Sequence, residues 1–144
     1  ADGVHFVQRL AMAGESWEYG KIVLSWQDTL DGADVPNDGR NVVIHEFAHQ
    51  LDQEDGSANG APILGKDQSY QIWSQVLNTA FEQLQRQASD GAPSLFDYYG
   101  ATDPAEFFAV ASEVFFKQSS QLLHAYPSLY QQLRQYYRVD PTEW

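Results

Sequence analysis

Residues 41–52 read Asn41-Val42-Val43-Ile44-His45-Glu46-Phe47-Ala48-His49-Gln50-Leu51-Asp52. The apolar residues Val42, Val43, Ile44, Phe47, Ala48 and Leu51 lie almost all the way round a helix of 3.6-residue period, which predicts a helix buried at the centre of a domain. Inside it, His45-Glu46-Phe47-Ala48-His49 is the pattern H-E-x-x-H. On a helix, residues i and i+4 share a face, so both imidazoles reach one ion. Glu46, beside the first histidine, points to where a metal-bound water would sit, and it is placed to take that water's proton and hand it to a leaving amine. A shuffled chain of this composition would carry the pattern fewer than about one time in a hundred. The competing reading is a core helix whose histidines are only hydrogen-bonded in place. It is the weaker one, because two imidazoles and a carboxylate in so apolar a helix need partners.

A catalytic zinc takes three protein ligands and keeps one position open. The chain has no cysteine, so histidines and carboxylates are the only donors left. Spacing leaves two sources for a third ligand. Asp55 follows His49 by six residues, where some zinc proteases place a ligand after a helix-breaking glycine; here Asp52 stands at the breaker's position. The distal choice is Glu106 or Glu113, seven residues apart and hence two turns apart on one helix face. Each has a plain structural explanation as well. Asp103-Pro104-Ala105-Glu106 has the spacing of a capping box, and Glu113 with Lys117 has that of a surface ion pair.

Outward from this core, residues 4–12 mix apolar and β-favouring types and read as a strand. Residues 21–26 (KIVLSW) are short, β-branched and aromatic, and read as a second strand; it is either an ordinary core strand or, standing before the H-E-x-x-H helix where zinc peptidases generally place a sheet edge, one that pairs with an extended substrate. Residues 27–40 are loop, rich in Gly, Pro, Asp and Asn. After the break at residues 53–65, residues 69–88 show clean helical periodicity through Ile72, Trp73, Val76, Leu77, Ala80, Phe81 and Leu84. Asp103-Pro104 opens a further helix running to about Lys117, with Asp at the N-cap and Pro at the first helical position. Pro127 opens the last, which ends before Pro141.

A chain of 144 residues, 43% hydrophobic and 14% aromatic, suits one compact domain with a single core. Its net charge of −12 repels phosphate backbones and anionic membranes, so neither nucleic acid nor membrane is expected as a partner. The same field favours cationic substrates such as a free peptide N-terminus. No apolar run approaches the ~20 residues of a membrane span. The first residues show no signal peptide and no initiator Met.

The stretch VVIHEFAHQLD, the loop DGSANGAP and the segment YGATDPAEFFAVASEVFF together resemble the Mlc titration factor A family of bacterial zinc peptidases, and more distantly the catalytic domain of anthrax lethal factor. The resemblance covers about residues 16–141, with two separated motifs in order. It implies zinc held by His45, His49 and the Glu of Y-x-x-T-x-x-A-E, which is Glu106, with Glu46 as base. It implies that Tyr99, opening that segment seven residues before Glu106, stabilises the oxyanion; spacing alone does not choose between Tyr98 and Tyr99. Glu113, then Asp52 and Asp55, become candidates to orient the ligating histidines. Family members normally carry an additional N-terminal helical portion that this sequence lacks, so surfaces built by it are not implied here.

The expected architecture is α+β and mostly helical: one zincin-like domain over residues 1–144, with a small β-hairpin beside about four helices. The expected function is zinc-dependent hydrolysis of peptide bonds by a cytoplasmic protein, in the manner of an aminopeptidase. The alternative is a regulatory module that binds and sequesters a transcriptional repressor, a role with no need of a base at Glu46. A purely structural zinc is disfavoured, because such sites are usually closed by four protein ligands.

Overall fold

The computed structural model describes residues 42–56 and 58–144. Five α-helices run through them: α1 (Val42–Asp52), α2 (Tyr70–Asp90), α3 (Pro104–Lys117), α4 (Ser119–Ala125) and α5 (Pro127–Tyr137). Short 3-10 turns follow α1 (Gln53–Asp55), precede α3 (Tyr98–Ala101) and close the chain (Pro141–Glu143). No strand or sheet occurs among the described residues, which corrects the expected α+β architecture to an all-helical one there. The two segments read as strands, residues 4–12 and 21–26, lie outside the described residues. The physical reason for the correction is that the described elements pack helix on helix, α1 on α3 above all, and such layers bury apolar stripes as a sheet would. Short apolar runs do not by themselves distinguish a strand from a buried helix segment.

Helix α3 is the centre. Ala105 and every residue from Phe107 to Phe116 are buried, because PAEFFAVASEVFFK is apolar on all sides. Asp103 caps it as its sequence demands, accepting the Glu106 N–H at 2.9 Å, with Pro104 at the start. Helix α1 lies against α3 and buries Ile44, Phe47, Ala48 and Leu51. That leaves His45 and His49 half-buried and Glu46 exposed, so α1 has one wet edge rather than being enclosed all round.

Helix α2 starts at the cap Ser69, whose hydroxyl accepts the Ile72 N–H, and ends at the left-handed Gly91. It buries Trp73, Leu77, Ala80 and Leu84, a stripe of i, i+4, i+7 and i+11 spacing, while Ile72 is half-exposed and outside the core. Trp73 meets Phe108 of α3 and Tyr136 of α5, each with ring centroids 5.8 Å apart. Truncating such a fully buried Trp typically costs about 3–5 kcal/mol. Helix α4, seven residues long, is an element the sequence reading did not contain.

One loop fastens the site-bearing helices together. Asp52, fully buried at the end of α1, accepts the backbone N–H of Gly60 at 2.8 Å and of Asn59 at 3.2 Å. The Gly60 carbonyl in turn accepts the indole N–H of Trp73 at 2.9 Å. Gly60 has φ +82°, and a Cβ there would stand 2.6 Å from the Pro104 carbonyl oxygen. Only glycine meets both demands. The end of α1, the first turn of α2 and the first residue of α3 are therefore pinned at one point.

Candidate metal centre

His45 and His49 project from α1 onto the first turns of α3, where Glu106 awaits them. Glu106 Oε1 lies 2.9 Å from His45 Nε2 and 2.9 Å from His49 Nε2. One donor atom from each of the three side chains falls within 4.8 Å of the others. The imidazole rings stand edge to face, 4.8 Å between centroids and 76° between planes, as expected of residues one helical turn apart. The capping-box explanation of Glu106 is only half met. Asp103 does accept the Glu106 N–H, but the Glu106 carboxylate turns to the histidines instead of back to the Asp103 amide.

Tyr99, in the 3-10 turn before α3, donates its hydroxyl to Glu106 Oε2 at 3.3 Å, and its ring lies 6.3 Å from that of His45. Tyr98 faces away, its hydroxyl bonded to the Ala92 carbonyl. Geometry thus separates two adjacent tyrosines that spacing alone left equal. Glu46 is exposed on the same side, and its charge is felt at the Tyr99 hydroxyl. The Asp52 carboxylate is directed at the Gly60 loop. The side chain of Asp55 lies outside the described part of the chain. Glu113 is 7% exposed and holds His45 from the other side, its Oε1 2.5 Å from Nδ1.

The electrostatics follow from this convergence. The Glu113 hydrogen bond is the largest influence on His45 and raises its pKa above the ordinary imidazole value; burial opposes this, and Glu106 adds to it. For Glu106, burial pushes the carboxyl upward, but the hydrogen bonds and charges of His49 and His45 outweigh it and leave the pKa lowered. The negative charge of Glu106, with lesser contributions from burial, Asp103 and Glu46, raises the Tyr99 hydroxyl and keeps it a proton donor at neutral pH.

The donor set fits a divalent metal. Two imidazole nitrogens and one carboxylate oxygen are the ligand types of open, three-residue zinc sites. Without a cation, each Nε2 must carry a proton to meet the same Glu106 oxygen; with one, all three atoms present lone pairs to it. Among the described residues this is the one group of three or more such side chains so placed. A cleft of about 720 Å³ lined by Asp67, Arg134, Arg138 and Trp144 shares no residue with it.

The chain belongs to the family described as glucose-regulated metallo-peptidase M90, whose profile matches residues 1–138. It is 42% identical over 136 residues to Mlc titration factor A of Serratia proteamaculans, covering 92% of this chain and 50% of that protein. To Mlc titration factor A of Salmonella agona it is 39% identical over 145 residues, covering 98% of this chain and 53% of that one. An uncharacterized protein of Synechocystis, slr2042, is 45% identical over 130 residues, 90% of this chain and 47% of its own length. The chain spans about half the length of the curated relatives it matches. No helix among the described residues is long and apolar enough to cross a membrane.

Proposed function

We propose that this chain is the catalytic domain of a cytoplasmic zinc peptidase that cleaves peptide bonds with water. The observation that carries the reading is the meeting of His45 Nε2, His49 Nε2 and a Glu106 oxygen within 4.8 Å of one another, beside an exposed Glu46. In this reading the three side chains hold the metal. When bound, the metal supplies Lewis acidity, lowering the pKa of a water and polarising the scissile carbonyl. Glu46 takes the proton of the attacking water and delivers it to the departing amine. Tyr99, a donor on the exposed side of the cluster, gives its hydroxyl hydrogen bond to the oxyanion that develops on the carbonyl oxygen. The carboxylates of Glu46, Glu106 and Asp103 around Tyr99 make a negative field that suits a free peptide N-terminus, which supports aminopeptidase action.

The test is hydrolysis of a broad peptide library, with free and with acetylated N-termini, by the zinc-loaded, chelator-stripped and zinc-restored chain. Cleavage that disappears on stripping and returns with zinc is the expected result, with preference for free N-termini. A zinc-loaded chain that cleaves nothing favours a second reading, suggested by the relatives' name Mlc titration factor A: a module that binds a repressor protein.

A further inference from the structure

We infer that Glu113 is the positioning residue of the metal centre, fixing His45 in the tautomer that presents Nε2 to the ion. The inference rests on the reading of His45 as a ligand and deepens it. Three observations carry it. Glu113 Oε1 sits 2.5 Å from His45 Nδ1, the ring nitrogen on the side away from Glu106. Glu113 is 7% exposed, on a helix whose neighbouring positions are all buried, so its carboxylate is held by packing. Glu113 also follows Glu106 by two helical turns, so α3 supplies both groups that flank one imidazole.

The chemistry follows from the two ring nitrogens. A neutral imidazole has one N–H and one lone pair, and whichever nitrogen donates decides which is free to ligate. A carboxylate oxygen only accepts, so the Glu113 contact demands the proton on Nδ1. With an ion bound, Nε2 is then left with its lone pair on the Glu106 side, where His49 also points; without one, Nε2 carries the proton that meets Glu106. A ring in the opposite tautomer would set a lone pair against a carboxylate on one side and a proton where the ion must bind on the other. The contact also sets the ring's rotation about its side-chain bonds, so Nε2 is aimed at the Glu106 side before an ion arrives. Partners of this kind are worth about 10–100-fold in metal affinity.

The test uses the whole chain with E113A and E113Q. Zinc affinity is read by competition with a chromophoric chelator, folding by circular dichroism and thermal melting. The His45 Nδ1 proton is followed by ¹⁵N-edited NMR of the zinc-loaded protein. The wild type should bind zinc and show a slowly exchanging, downfield Nδ1 proton. E113A should bind zinc about 10–100-fold more weakly and lose that signal. E113Q keeps the volume and an accepting oxygen, and should recover the signal and most of the affinity. If E113A does not fold, E113Q carries the test: its Nδ1 signal should persist, and replacement of that signal by an Nε2 proton overturns the inference. A folded E113A with wild-type affinity and an unchanged Nδ1 signal also overturns it. A wild type that binds no zinc instead removes the ligand reading on which it rests.

Discussion

The Tyr99 hydroxyl stands 3.3 Å from Glu106 Oε2, the oxygen of that carboxylate that does not face the histidines. Seven residues separate the two, and the capped start of α3 at Asp103 holds them at that distance. The tyrosine is 56% exposed, so it is tethered at its tip while its ring remains open to a substrate.

Tyr99→Phe should therefore lower kcat with little change in KM, by about 10²-fold, since the hydroxyl serves the transition state rather than substrate binding. Steady-state kinetics of the zinc-loaded variant decide it. An unchanged kcat removes Tyr99 from the chemistry, and a rise in KM alone makes it a binding residue.

Metal content separates the two possible third ligands. His45→Ala and Glu106→Ala should each lose zinc markedly after dialysis, while Asp55→Ala keeps about one ion per chain. Elemental analysis of the three variants reads this out. Full zinc in Glu106→Ala together with loss in Asp55→Ala transfers the third position to the local carboxylate.

Much of the site is legible in the sequence because it is local. H-E-x-x-H is two residues one turn apart on a helix whose apolar positions announce it, and Asp103-Pro104 marks the start of α3 by cap chemistry. What is not legible depends on contacts between distant segments. Tyr98 and Tyr99 are equivalent until Tyr98 is seen bonded to Ala92. Glu113 matches a surface pair with Lys117 by spacing, and its burial against His45 appears only once α1 and α3 are packed. The capping-box signature of Glu106 describes the backbone half correctly and the side-chain half wrongly, because two imidazoles compete for the carboxylate. Helix α4 escaped because its seven residues present fewer than two full turns of periodicity between Gln118 and Pro127.

Gly60→Ala should destabilise the chain by about 1–3 kcal/mol, from the left-handed backbone and the approach to Pro104. Gly91→Ala is the control, with φ +64° and nothing within 4 Å of the added Cβ, so it should cost only the backbone part, about 1 kcal/mol. Urea unfolding of both measures the difference. Equal losses would show that the contact with the start of α3 carries no energy.

Asp140 ties the C-terminal turn to α5. Its carboxylate accepts from the Thr142 hydroxyl at 2.5 Å and from Tyr130, and lies 3.6 Å from Arg134 Nε. The Thr142 hydrogen bond, then that of Tyr130, hold its pKa below the ordinary carboxylate value. A carboxyl lowered by folding stabilises above its unfolded pKa of about 4, and that stabilisation is lost as pH falls through the lower folded value. Wild type should thus exceed Asp140→Asn by about 1 kcal/mol near neutrality. The gap should close in acid, as read by denaturant unfolding from pH 6 to pH 2. A gap independent of pH would mean that the charge of Asp140 contributes nothing.

Catalysis itself is decided at Glu46. Glu46→Gln keeps the shape of the side chain and removes its basicity, and Glu46 is exposed beside the three converging donors rather than one of them. Peptide hydrolysis is to be measured for wild type and Glu46→Gln side by side, with zinc content determined in both. The expected result is a folded variant with one zinc per chain and a rate lower by about 10²–10⁴-fold, the usual loss when general acid–base help is removed. Equal rates in two zinc-loaded proteins would contradict the assignment of Glu46 as the base and with it the proposed hydrolysis.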